Sequence, residues 1–183
     1  MSRRLTQREL HLLFLHDIGE CARDVKDNGG KPLSLRLSYP FNRDLNVYIF
    51  NCTAPPGGRS IDEFKVQLIL DGQKRGVRGK FDTSDGRTTL IVGYATPFTD
   101  MDEGIWVLFE LDKHMEFAYS TNIQVYLRQM LCALEENVYV CQKHNNEILI
   151  LSQRQHLIEA LQKRFDIDLQ IMLEKAEHGI KGT

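Results

Sequence analysis

No stretch of this 183-residue chain approaches the run of about 18 apolar residues that a membrane-spanning helix needs. Met1 leads through Ser2-Arg3-Arg4 into an amphipathic stretch rather than into the apolar core of a secretory signal. The four cysteines, Cys21, Cys52, Cys132 and Cys141, include no close pair of the kind that clips zinc or exchanges disulfides. Reduced thiols without a targeting segment set the expectation of a cytoplasmic protein. Internal repeats, low-complexity tracts and long linkers are missing as well, and irregular patches are confined to 27–32, 53–60 and 72–86. Nor is there an excess of charge: 23 Lys and Arg face 25 Asp and Glu, for a net charge of −2. That excludes a protein that coats nucleic acid indiscriminately, because such binding grows with the number of phosphates neutralised. Any anion site has to be local.

What is present suffices for one domain. With 42% hydrophobic residues, a chain of this length buries roughly 70% of its unfolded surface, so a single domain over 1–183 is expected, with an N-terminal helix over 5–20 and a C-terminal helical extension over 153–178. Charge is segregated along it. Residues 59–87 hold seven basic and five acidic side chains, whereas 99–118 hold six acids against Lys113 alone.

The first helix is announced by Thr6 and Glu9, a capping box ahead of Leu10, Leu13 and Phe14. Seven strands follow from alternating apolar residues, at 33–39, 45–52, 63–70, 88–94, 105–111, 138–142 and 147–151, the last two joined by the turn formers Asn145-Asn146. Between the fifth and sixth, Ile123, Leu127, Met130, Leu131 and Leu134 are spaced as on a helix face, with Thr121 and Gln124 as its capping box. A further helix is expected from Ser152, with Gln155 at its start and Leu157, Ile158, Leu161 and Phe165 along it, and a last one from Ile167 to about His178. Because strands do not alternate regularly with helices, the expected class is α+β and mainly antiparallel, not a doubly wound parallel sheet.

Residues 59–94 concentrate the chemistry and read as a hairpin presenting cations. Phe64, Val66, Leu68 and Leu70 share one strand face, and Glu63, Lys65 and Gln67 share the other. Gln73-Lys74-Arg75-Gly76-Val77-Arg78-Gly79-Lys80 then places four cations in eight residues without an acid. Such a surface suits a polyanion; a solvated strand face and a flexible polar loop are the plain alternatives.

Asp62-Glu63-Phe64-Lys65-Val66-Gln67, Leu90-Ile91-Val92-Gly93-Tyr94, Ile105-Trp106-Val107-Leu108-Phe109 and Ser120-Thr121-Asn122-Ile123-Gln124-Val125, taken in order, resemble the B3-like effector domains of prokaryotic restriction endonucleases. The resemblance covers about 33–165. It implies a seven-stranded, mainly antiparallel pseudobarrel with flanking helices that binds double-stranded DNA sequence-specifically in the major groove with two arms. It implies neither a catalytic residue nor a metal or other cofactor. One arm would comprise Arg59, Ser60, Asp62, Lys65 and Gln67, and the other Tyr119, Ser120, Thr121 and Asn122. These types fit base edges: Arg and Lys donate to guanine, Gln and Asn pair with adenine, and Asp accepts from cytosine. Lys74, Arg75, Arg78 and Lys80, lacking that mixture of signs, would hold phosphates, as would the amides opening the helix at Ile123. Effector domains of this kind accompany a nuclease; none is evident in this sequence, so a separate nuclease module or subunit is the expected partner.

Three other readings compete. Glu63-Phe64-Lys65 matches the acid-x-lysine element of PD-(D/E)xK nucleases, with Asp44 as the upstream acid that would share a magnesium ion. A protein-interaction module is suggested by apolar residues over 167–177, which also suit an oligomer contact. Ser120, Thr121 and Asn122 also fit a plain helix cap. His114, near Asp112 and Glu116, has no second histidine at ligand spacing and reads as hydrogen-bonded or solvated; Trp106 and Phe109 read as core.

Overall fold

Along β3 (Arg43–Thr53), Leu45, Val47 and Ile49 point into one hydrophobic core while Tyr48, Phe50 and Cys52 point into another. This strand is apolar on both faces because it lies inside the protein, covered from either side. The computed structural model, which describes residues 4–54, 60–98 and 104–180, repeats the same division on its neighbours. In β6 (Thr88–Ala95), Leu90, Val92 and Tyr94 join the first core and Ile91 and Ala95 the second. In β7 (Ile105–Phe109), Trp106 and Leu108 oppose Ile105, Val107 and Phe109. Trp106 and Phe109 are thus core residues, as expected.

The remaining strands are β1 (Ala22–Lys26), β2 (Leu33–Leu37), β4 (Glu63–Leu68), β5 (Gly79–Lys80), β8 (Glu116–Phe117), β9 (Thr121–Tyr126), β10 (Val138–Gln142) and β11 (Ile148–Gln153). The main sheet runs β1-β2-β3-β6-β7-β11-β10, and β4 and β9 branch from it. All pairs are antiparallel except β3 with β6. The fork arises because β3 is long: β2 pairs with its first half, from Arg43 to Val47, and β4 with its end, at Cys52 and Thr53. The class is α+β with a mixed, mostly antiparallel sheet, and no closed barrel forms among the described residues. The expected hairpin of 63–70 with 88–94 does not form either, since β3 stands between β4 and β6 and pairs with both.

Helix α1 (Gln7–Ile18) starts as its sequence predicts: the Thr6 hydroxyl accepts from the Glu9 amide at 3.2 Å and the Glu9 carboxylate accepts from the Thr6 amide at 2.7 Å. It buries Leu10, Phe14 and Ile18 in the first core, where α3 (Leu157–Ile180) adds Leu157, Leu161 and Phe165. The second core lies under β4, β9 and α2 (Leu127–Glu136).

Three helical expectations are corrected. Residues 121–126 form strand β9, and the helix begins at Leu127. Ile123 and Val125 are β-branched, alternate with Asn122 and Gln124, and pack inward opposite β4, while Gln129, not Gln124, turns back to accept from the Tyr126 amide at 2.9 Å. The helix N-terminus expected at Ile123 to hold a phosphate therefore does not exist. Ser152 lies within strand β11 rather than opening a helix, and a single turn at Arg154–His156 precedes α3. The two C-terminal helices are one helix of 24 residues, about 36 Å long. No helix among the described residues is long and apolar enough to cross a membrane.

Candidate nucleic-acid interface

The two arms read from the sequence are neighbours in the fold. Antiparallel pairing of β4 with β9 sets Lys65 opposite Gln124, Gln67 opposite Asn122 and Glu63 opposite Tyr126. Phe64, Val66, Leu68, Ile123 and Val125 point into the second core, so alternation turns Glu63, Lys65, Gln67, Asn122 and Gln124 outward as one polar face. Cross-strand hydrogen bonds order that face. Gln67 donates to the Ser120 hydroxyl at 2.5 Å and Gln124 donates to the Glu63 carboxylate at 3.0 Å.

The entry to the first arm is fixed by a turn. The Glu63 amide donates to the Ser60 carbonyl at 3.1 Å, the Ser60 hydroxyl donates to the Asp62 carboxylate, and the Leu127 amide donates to the Asp62 carbonyl at 2.7 Å. Asp62 thus has its carboxylate engaged locally and its backbone tied to the start of α2. Arg59 lies outside the described residues.

Cations frame one end of this face. The Leu70 amide donates to the side chain of Gln73, which in turn donates to the Val77 carbonyl at 2.9 Å, and the Val77 amide donates to the Lys74 carbonyl at 3.0 Å. Gly76, at φ +85°, supplies the left-handed corner. The basic segment is therefore a built turn, braced where β5 pairs with β8. That ladder requires glycine at position 79, where an added Cβ would lie 2.6 Å from the Phe117 ring. It brings Arg75 and Arg78 to the same open cleft, about 540 Å³, as Tyr119 and Ser120. Lys74 is exposed, and Lys80 lies 3.7 Å from Glu116 with both side chains in solvent. A surface pair of that kind is worth about 0–1 kcal/mol and leaves Lys80 able to turn to a phosphate.

Thr121 and Asn122 begin a strand rather than a helix, so a capping role does not account for them. The Thr121 hydroxyl donates to the Ala118 carbonyl at 2.9 Å, and Ser120, at φ +64°, forms the corner between them. Asn122 is exposed on the outer face. Beyond it lies a second cleft of about 550 Å³, between β9, the first turn of α2 and the β10–β11 turn. Gln124, Arg128, Gln142, Lys143 and Asn145 line it, and the sequence reading missed them all. The signal for β9 was present in the alternation of Asn122, Ile123, Gln124 and Val125, but helical spacing from Ile123 to Leu134 masked it. His114 meets its expectation as a hydrogen-bonded residue, with Nε2 2.6 Å from the buried Glu147 carboxylate.

The nuclease constellation is not assembled. Asp44 sits at the start of β3, opposite Arg36, whereas Lys65 pairs with Thr53 at its end. Asp44 and Thr53 are nine positions apart along the strand, roughly 30 Å, and Glu63 lies beyond. Two carboxylates that far apart cannot share a magnesium ion, whose ligands sit at about 2.1 Å.

In comparison with known proteins, the family model described as methylase-associated X1 matches residues 43–161. No curated protein and no solved structure matches the chain. The matched segment contains β4, β9, the basic turn and both clefts.

Proposed function

Since the chain belongs to the methylase-associated X1 family, matched over more than half of its length, we propose that it recognises double-stranded DNA for a methylase-linked restriction-modification system and is not itself the catalyst. The observation that carries this reading is the pairing of β4 with β9, which merges two separate polar segments into one face ending at the Arg75 and Arg78 cleft. The B3-like resemblance contributes the mode of binding, two arms addressing the major groove, rather than the barrel. Lys65, Gln67 and Asn122 would read base edges; Lys74, Arg75, Arg78 and Lys80 would seat phosphates and set the register. A local cluster of this size suits a protein whose net charge is −2. A nuclease subunit acting on the same DNA remains the partner this reading needs.

The test is selection of bound sequences from a random duplex library by the purified chain, with EDTA and near-physiological salt. A short enriched motif is the expected result; retention of no DNA would overturn the reading. Given a motif, Lys65→Ala and Gln67→Ala should each lose about 1–3 kcal/mol of discrimination between the motif and its single-base variants. If neither changes affinity or discrimination, this strand is not part of the recognition surface. Lys74→Ala should behave differently, weakening all duplexes alike and reducing the slope of log affinity against log salt by about one. A loss confined to one sequence would contradict its phosphate role.

A second surface favours self-association. On α3, Leu169, Met172 and Leu173 are 51%, 60% and 54% exposed at i, i+3 and i+4 spacing, where the helix carries the apolar stripe expected of an oligomer contact. Sedimentation at increasing concentration should show a dimer that Leu173→Glu abolishes; a monomer at every concentration would remove this reading.

A further inference from the structure

We propose that the cleft along β9 is a seat for a single unpaired nucleotide, a nucleoside monophosphate unit supplied either by the bound DNA or in free form. The DNA source rests on the recognition reading above; the seat itself rests on its chemistry. Its lining includes five carboxamides, from Asn122, Gln124, Gln129, Gln142 and Asn145, of which Gln129 is already engaged by the Tyr126 amide and the Cys141 sulfur. A carboxamide offers a donor and an acceptor side by side, the complement that the edge of a base presents, whereas a simple anion site needs donors alone. Two of the others are oriented with a group still to offer. Asn145 accepts from the Glu147 amide at 3.1 Å through its oxygen, which leaves its NH2 group to donate, and Gln124 donates to Glu63 at 3.0 Å, which leaves its oxygen to accept.

The same cleft holds a flat platform. The Arg128 guanidinium lies over the Tyr126 ring, 5.1 Å from its centroid, a stack on which a base can continue or to which a phosphate can bind. Lys143 is a fixed wall rather than a free ligand, because it bridges the Glu147 carboxylate at 2.9 Å and the Gln124 carbonyl at 3.3 Å. Among the described residues no acidic side chain lines the cleft, and the carboxylates behind its wall are engaged, Glu147 by Lys143 and His114 and Glu63 by Gln124. At about 550 Å³ it falls within the range of small-molecule sites. The contrast with the neighbouring cleft sharpens the assignment: that one presents Arg75 and Arg78 and no carboxamide, which suits backbone phosphate. Asn122 and Gln124 belong both to the outer face of β9 and to this cleft, so a base leaving the duplex there meets the seat directly.

Two probes separate the sources: a duplex carrying one bulged 2-aminopurine, compared with the fully paired duplex, and free deoxynucleoside monophosphates followed by ligand-observed NMR. Each is measured on the full chain and on the double variant Gln142→Ala/Arg128→Ala, whose two side chains are exposed and lie outside the phosphate cleft. A preference of about tenfold for the bulged duplex, with a fluorescence change, both lost in the variant, is expected if DNA supplies the nucleotide. Mononucleotide binding lost in the variant, without any preference for the bulge, assigns the seat to a free nucleotide. Tight binding of the paired duplex with neither effect overturns the seat and leaves DNA recognition standing. Mononucleotide binding with no duplex binding of any kind does the reverse, and binding of neither probe overturns both.

Discussion

Asp17→Ala is expected to destabilise the fold by about 4 kcal/mol, the cost of breaking a buried ion pair from one side. The Asp17 carboxylate is 4% exposed and accepts from Arg154 Nε at 2.9 Å, from a second Arg154 nitrogen at 2.8 Å and from the Trp106 indole at 2.8 Å. Removing it strips Arg154 of two hydrogen bonds and leaves the indole N–H, wholly buried, without that acceptor. An orphaned donor of that kind costs about 1–3 kcal/mol by itself, and the two losses overlap because one carboxylate serves both. Against a total stability of about 5–15 kcal/mol, the loss should be plain in urea denaturation. The pair also staples α1, which lies outside the segment matched by the family model, to the turn after β11, which lies inside it. Asp17→Leu/Arg154→Met should recover part of the loss, since apolar residues of similar volume often replace a buried pair without penalty. A change below about 1 kcal/mol in Asp17→Ala would show that the staple is not structural.

How much of this was legible in the sequence depended on whether local pattern and tertiary demand agreed. Thr6 and Glu9 made their capping box because the two residues lie within one helical turn of each other, so the contact needs no tertiary partner. The long apolar strands over 45–52, 88–94 and 105–111 were visible because burial on both faces leaves few alternatives, though the third ends at Phe109 and Leu111 opens a turn. Strand β9 was masked. Its Ile123 fits the i, i+4 spacing of the helix that follows, and only pairing with β4 decides between the two. Strand β1 is exposed at four of its five residues, Arg23 to Lys26, and so carries no alternation to read; β5 and β8 are two residues each and exist because Gly79 admits the Phe117 ring. At the candidate interface the first arm and the basic turn could be named from residue types, but their union could not. Register places Gln67 against Asn122 and Gln124 against Lys65, and it is a property of two strands more than fifty residues apart. The second cleft depends on the same pairing and on the β10–β11 turn at its rim, which is why Arg128, Gln142 and Asn145 gave no signal.

That turn supplies the other large effect. Glu147→Gln should destabilise the protein by about 3 kcal/mol, lowering its melting temperature by roughly 6–12 °C. Glu147 has a fully buried carboxylate that holds His114 Nε2 at 2.6 Å on one oxygen and Lys143 Nζ at 2.9 Å on the other. Burial works against its charge, but the hydrogen bonds and charges of His114 and Lys143 outweigh it and hold the carboxyl below its ordinary value of 4.5. The sign follows from that direction. A group whose native value is depressed contributes stability that is present above its ordinary value and is lost as pH falls through the native one. The wild-type protein should therefore lose this contribution as pH drops below about 4.5, while the glutamine variant, which has nothing to protonate at this position, should not. The stability gap between them, widest at pH 7, should close on the acid side. Urea denaturation of both proteins at pH 7, 5, 4 and 3 measures it, and a gap that stays constant across that range would mean that charge at Glu147 is not what the two partners stabilise. Because Lys143 then loses its anchor in the wall of the carboxamide cleft, the variant should also weaken mononucleotide binding at pH 7, where the fold remains intact.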